Sequence, residues 1–153
     1  MAKKFNFRLQ PLLRLREFEE DKKKKAFAEA NRALAEEVER REQLANERKQ
    51  MIENVREAYS TGAPFEQVLD HYKSMNQVEY TLRKGMPLLK QLEHEVERTR
   101  AELMEAKREK KVIEIVKEKR KNEYMQQLDK EEQQQIDEIS MNLAKKRKGE
   151  DGN

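Results

Sequence analysis

The chain has 153 residues, with 34 basic and 31 acidic side chains and a formal net charge of +3. Charged residues make up 42% of it and hydrophobic ones 35%, against about 25% and 45–50% in an average globular domain, which excludes a compact two-layer core. The absence of cysteine excludes disulfides, iron–sulfur clusters and thiolate zinc sites, and the even charge lacks the one-sided positive field of a dedicated nucleic-acid binder.

High charge with few aromatics is also the signature of disorder. Gly (4) and Pro (3) are rare, however, and the strong helix formers Ala, Glu, Lys, Leu, Arg and Gln dominate. The composition therefore predicts long helices or coiled coil. No apolar run approaches the roughly 20 residues of a membrane span. Lys3, Lys4, Arg8, Arg14 and Arg16 all precede the first acid, Glu17, yet the continuous apolar stretch and small-residue cleavage site of a secretory signal are missing.

The first segment, Phe5-Asn6-Phe7-Arg8-Leu9-Gln10-Pro11-Leu12-Leu13, has two readings. One is a basic membrane-surface or partner-docking segment. The favoured one is a hydrophobic entry to the first helix, with Pro11 in its first turn.

A first helix is expected over 9–59, where no Gly or Pro falls after Pro11. Positions spaced alternately by three and four run Leu9, Leu13, Arg16, Glu20, Lys23, Phe27, Ala30, Leu34, Glu37, Arg41, Leu44, Arg48, Met51, Val55, Ala58; nine of the fifteen are apolar. The stripe is interrupted, and it drifts by one position near Val38, Ala45 and Ile52. Opposite charges four apart, such as Glu19/Lys23 and Glu37/Arg41, add about 0.2–0.5 kcal/mol each.

Ser60-Thr61-Gly62-Ala63-Pro64 is a dense turn signal, which leaves 60–63 as the turn and Pro64 as the first position of a second helix over 64–147. There Val68, Met75, Leu82, Leu89, Val96 and Leu103 recur seven apart, a strong heptad signal, with a weaker companion row at Val78, Leu92, Ala106 and Ile113. The heptad row passes Pro87 without a phase change, so Gly85-Met86-Pro87 reads as a kink in one helix. The tail 149–153 is expected to be disordered.

These elements predict an all-α fold: an antiparallel two-helix coiled coil over 1–148, with the second helix longer and overhanging. Folding back about Gly62 sets Val55 against Val68, Leu44 against Leu82, Leu34 against Leu89 and Phe27 against Val96. Arg16, Glu20 and Lys23 would face Ala101, Met104 and Arg108, a poor part of the seam. A bundle of two exchanged chains would use the same seam. The overhang from Arg120 to Arg147 is about 40 Å long and carries Leu128, Ile136, Ile139 and Leu143 with nothing to cover them. A solitary helix is marginal, so this end reads as a docking element.

No chemistry of catalysis emerges. The chain has no phosphate-binding glycine loop, and His71 and His94 have no partner at zinc spacing. Its carboxylates sit among lysines rather than in a concave apolar pocket. The expectation is a non-enzyme without metal or cofactor. Two further segments suit partners. Arg108 to Lys121 is basic, either a solvated helix face or a patch for RNA, acidic lipid or an acidic protein, and apart from nearby Tyr124 it lacks aromatics for base stacking. Tyr59, Phe65, Tyr72 and Tyr80 cluster at the turn, either as seam packing or as a protein-binding tip.

The opening words Phe5 to Leu13, followed by Arg16-Glu17, resemble the start of the FliJ family. So do the later words Arg108-Glu109-Lys110-Lys111, Glu114, Lys117-Glu118-Lys119, Glu123-Tyr124, Glu132-Gln133 and Ile136-Asp137-Glu138-Ile139, with Ile115-Val116 replacing the usual leucine. The resemblance covers essentially the whole chain. It implies a stalk and general chaperone of the flagellar type III export apparatus, built as a two-helix coiled coil, cytoplasmic and peripheral at the inner membrane. The implied partners are the hexameric export ATPase, the cytoplasmic domain of the large export-gate subunit and substrate-specific export chaperones, with no nucleic acid. The matching positions for the ATPase are Leu12, Leu13, Arg16, Arg108, Lys110, Lys111, Lys117, Lys119, Arg120, Asp137 and Glu138. Those for the gate are Arg48, Ile52, Tyr72, Met75, Leu82 and Met86. The rival readings are a generic coiled-coil scaffold or chaperone, an injectisome-type stalk, and a nucleic-acid-binding coiled coil.

Overall fold

The structure, a computed structural model, describes residues 4–150 and 152. Lys3 of the basic N-terminus and Asp151 and Asn153 of the tail lie outside the described residues. The described chain is helical, with α1 over Gln10–Ser60, α2 over Phe65–Lys84 and α3 over Met86–Glu150. No strand occurs among the described residues.

All fifteen positions of the three-four row, Leu9 just ahead of α1 and the rest within it, are buried or half-buried, the charged ones included. Both rows of the second arm, from Val68 to Leu103 and from Val78 to Ile113, are likewise buried or half-buried throughout. The expected drift at Val38 is absent, since that side chain is exposed. The buried apolar residues are few and mostly small: Ala30, Ala58, Val78, Leu103 and Ala106, with Phe7 and Leu13 near the N-terminus. Small side chains let helix backbones approach closely, which suits a seam with little apolar material to spend.

The turn is built as its residues require. Gly62 has φ 69°, the left-handed conformation that ends many helices. Its N–H donates to the carbonyl of Tyr59 at 3.3 Å and that of Ala63 to the carbonyl of Ala58 at 2.9 Å. This is the paired bonding of a Schellman end, which satisfies carbonyls α1 would otherwise leave open. Pro64, extended at φ −55° and ψ 141°, is the residue before α2 rather than its first position. Its carbonyl accepts from Gln67 and Val68.

The single helix expected over 64–147 is divided at Gly85. Pro87 has no N–H to give the carbonyl of Arg83 and its ring crowds that carbonyl, so the ladder is interrupted one turn upstream of it. The interruption is slight. Gly85 keeps right-handed helical angles, its N–H reaches the carbonyl of Thr81 at 3.1 Å, and its carbonyl accepts from Leu89 at 3.2 Å. Arg41 of α1 lies across this point, donating from Nη2 to the carbonyl of Leu82 and toward the sulfur of Met86, each at 3.0 Å. A side chain at position 85 would meet that guanidinium at 3.0 Å, so glycine makes room for it. At the far end, helix extends through Gly149 to Glu150, where the sequence predicts a disordered tail.

The chain packs as two compact units, where one hairpin over 1–148 is expected. One unit joins Met1–Phe18 with Lys107–Asn153 and the other is Glu19–Ala106. Within the second, Lys23 pairs with Glu102 at 2.7 Å, Arg48 with Glu79 at 3.6 Å, and Arg41 with Leu82 as above. As the first number rises the second falls. The hydrogen bond from Lys23 holds the Glu102 carboxyl below the usual carboxylate range, helped by the charges of Lys23 and Arg98. Within the first unit, Arg16 pairs with Glu109 at 2.6 Å. Arg16 and Lys23, which read as poor seam positions in sequence, are thus each met by an acid within their own unit.

A Cβ on residue 62 meets nothing within 4 Å, so the cost of Gly62→Ala is conformational alone. It should destabilise the chain by about 1–2 kcal/mol, and Gly62→Asn by less, read from urea unfolding midpoints.

Candidate partner-binding faces

The two sets of partner residues suggested by the sequence fall in different units. All eleven positions matched to the ATPase lie in the unit of 1–18 and 107–153, and all six matched to the gate lie in the unit of 19–106.

In the first unit, residues 5–9 run ahead of α1 and fold onto α3. Phe7 is only 5% exposed, with the Lys117 ammonium 6.0 Å from its ring centroid, a distance at the outer limit for a cation–π contact. Phe5 meets Tyr124 with ring centroids 5.6 Å apart. The N–H of Gln10 donates to the carbonyl of Phe7 at 3.0 Å and that of Leu13 to the carbonyl of Leu9 at 2.9 Å, so α1 starts with Pro11 in its first turn. The hydrophobic-entry reading describes this segment better than a docking arm does.

This packing sorts the eleven positions by availability. Leu13 is 4% exposed and acts as core of the unit, while Leu12 is half-buried. Arg16 is committed to Glu109, Lys110 lies 3.8 Å from Glu114, and Lys117 leans on Phe7. Arg108, Lys111, Lys119, Arg120, Asp137 and Glu138 are exposed. A groove of about 570 Å³ runs where Leu13 and Glu17 of α1 approach Lys111, Ile115 and Lys121 of α3. Its walls mix lysine and glutamate with apolar stems, which suits a peptide surface better than a reacting small molecule. From Asp129 to Glu150 every residue of α3 is exposed, Ile136, Ile139, Met141 and Leu143 among them.

In the second unit, Ile52, Met75 and Leu82 are half-buried members of the interior face, Arg48 is half-buried and paired with Glu79, and only Tyr72 and Met86 are exposed. Met86 is also touched by Arg41. The aromatics at the turn stand outward: Tyr59 is 82% and Phe65 76% exposed, with Tyr72 and Tyr80 also exposed. They are therefore not seam packing. His71 is half-buried beside the turn, and His94 is exposed. Among the described residues no cluster of histidine and acidic side chains could hold a metal ion, and no helix is long and apolar enough to cross a membrane.

The contacts missed in sequence are Phe5 against Tyr124 and Phe7 under Lys117, and Gly85 as a seat for Arg41. The alternation Phe5-x-Phe7 was the available signal for the first, since a period of two marks an extended strand with one covered face.

The described residues thus form helices whose inner row mixes apolar and charged side chains. The family model for the flagellar FliJ protein matches residues 5–149. The chain belongs to the FliJ family and is a component of a type III export apparatus. No curated protein sequence matches it. Among solved structures, CT670 from Chlamydia trachomatis, described as a YscO homolog, is similar at 21% identity over 95% of this chain and 98% of that chain, with a TM-score of 0.49.

If Phe7 holds the start of α1 to α3, Phe7→Ala should destabilise that unit by about 3 kcal/mol. Amide hydrogen exchange should rise at residues 10–18 and 113–124, while Phe7→Leu should leave most of the protection in place.

Proposed function

We propose that the chain is a non-catalytic stalk of the flagellar export apparatus that binds the hexameric export ATPase through the unit of 1–18 and 107–153. In this reading, helices pair antiparallel within each unit as a two-helix coiled coil. The falling partner numbers of Lys23–Glu102, Arg41–Leu82 and Arg48–Glu79 support that pairing. So does the inward set of both heptad rows.

The observation that carries the ATPase assignment is the exposed charge on α3. Lys111, Lys119 and Arg120 are exposed, as is Arg108, and Asp137 and Glu138 follow on the uncovered part of the helix. A basic stretch followed by an acidic pair along one exposed helix fixes orientation and register on a partner more than it adds affinity. Such a contact can form and release repeatedly, as a stalk in a ring requires. Leu13 serves this reading indirectly, by fixing the start of α1 against α3.

The gate-subunit contact is assigned to the second unit near the turn, where Tyr72 and Met86 are exposed. Ile52, Met75, Leu82 and Arg48 support that face from within. Substrate-specific chaperones would share these surfaces. Location at the cytoplasmic face of the inner membrane follows from the partners, since no described helix crosses a membrane.

The test is a pull-down and ATPase assay with the cognate hexamer, using Lys111→Glu, Lys119→Glu and Arg120→Glu together. These side chains are exposed, so the fold should survive. Like-charge juxtaposition at an interface costs several kcal/mol, so binding should weaken at least about tenfold and flagellation should fall. Unchanged binding and unchanged flagellation would remove the ATPase from this face.

A further inference from the structure

The uncovered part of α3 carries a stripe with an internal symmetry. At 100° per residue, Met125, Leu128, Glu132, Ile136, Ile139 and Leu143 fall within an arc of about 80°, and Lys146 returns to the same arc. All are exposed except Leu128, which is half-buried. Read outward from Ile139, the stripe has Ile136 on one side and Leu143 on the other. Seven residues beyond Ile139 in each direction stand Glu132 and Lys146. An acid and a base thus flank an apolar centre at equal distance.

Such a stripe fits its own copy in one direction only. In a parallel pairing Glu132 would meet Glu132, and Lys146 would meet Lys146. Turned antiparallel about Ile139, it sets Ile139 on Ile139, Ile136 beside Leu143 within one residue, and Glu132 on Lys146 twice over. An isologous contact of this kind closes after two subunits, because the same patch serves on both sides. On the flanks Glu131 comes opposite Arg147, whereas Lys130 comes opposite Lys148. The lone acid in the arc, a defect in an isolated helix, becomes the residue that fixes register.

We propose that this stripe is a self-association surface, through which two copies of the chain pair antiparallel along α3 from Leu128 to Lys148. Each Glu132 reaches the second copy's Lys146. The pairing buries the apolar residues of a helix that has no other cover in the chain, and it hides the same stripe from any other partner while it lasts. The proposal concerns the isolated protein and stands or falls apart from the export reading.

Sedimentation equilibrium of the full chain, up to about 1 mM, tests it with a charge swap. The wild type should show a monomer–dimer equilibrium that weakens with salt. Glu132→Lys alone and Lys146→Glu alone should each weaken the dimer at least about tenfold, since both symmetry-related contacts become repulsive. The double variant Glu132→Lys/Lys146→Glu should return to within about threefold of wild type, because both contacts re-form with signs exchanged. Ile139→Lys should abolish association with helicity by circular dichroism unchanged. A wild type that stays monomeric, swaps without effect on the dimer, or a double variant no tighter than the single ones would each overturn the proposal.

Discussion

Too little apolar surface to close a seam between long helices is the constraint on which the rest of this structure depends. The inner row of α1 answers it with charge. Six of its fifteen members are Arg16, Glu20, Lys23, Glu37, Arg41 and Arg48, and every one is buried or half-buried. Where an apolar side chain would meet another, Lys23 meets Glu102, Arg48 meets Glu79, Arg41 meets a backbone carbonyl, and in the other unit Arg16 meets Glu109. Glu20 and Glu37 are held by lysine and arginine one turn along their own helix. Part-exposed ion pairs of this kind add about 0–1 kcal/mol each, so their stabilising effect is small. Their larger effect is on alternatives: sliding the helices would place like charges together or leave a charge half-buried and unpaired, which costs far more than the pair contributes.

The same constraint shapes the backbone. A core of alanines and single larger residues needs the helices close, and the Schellman end at Gly62 brings the second arm back in few residues. Pro87 breaks the ladder of the second arm, yet Gly85 keeps helical angles and leaves room for Arg41 to reach the carbonyl of Leu82. The weak point of the helix is thereby tied to the polar row. For an export component, this means long helices without a deep core, and outer faces rich in charge.

Much of this was legible in the sequence. The heptad row from Val68 to Leu103 and the three-four row of α1 turned inward because their spacing matches the helix period, and Ser60 to Pro64 had turn chemistry no helix tolerates. The positions suggested for the ATPase and those suggested for the gate fall in different units because the first come from two charged words near the chain ends and the second from a middle segment near the turn. Other features were not legible, for definite reasons. Polar members of the inner row read as interruptions, because a pattern of apolar residues cannot show that Lys23 has Glu102 opposite it. Phe5 and Phe7 precede the first helix, where no helical period exists to assign their faces. The availability of site residues also depends on packing, so Leu13 could be matched to a partner in sequence and yet be interior.

The central claim is that inward charges set the register of the helices. Because the chain has no cysteine, spin labels can be placed singly at Lys25 and Arg100, both exposed and both in the second unit, and their separation read by pulsed electron paramagnetic resonance. The distance distribution should be single and narrow in the otherwise native chain. In the triple variant Lys23→Leu, Arg41→Leu and Arg48→Leu it should split or broaden as shifted registers become populated, even as apolar surface is gained. An equally narrow distribution at the same distance in the triple variant would contradict the claim and return the register to the apolar rows alone.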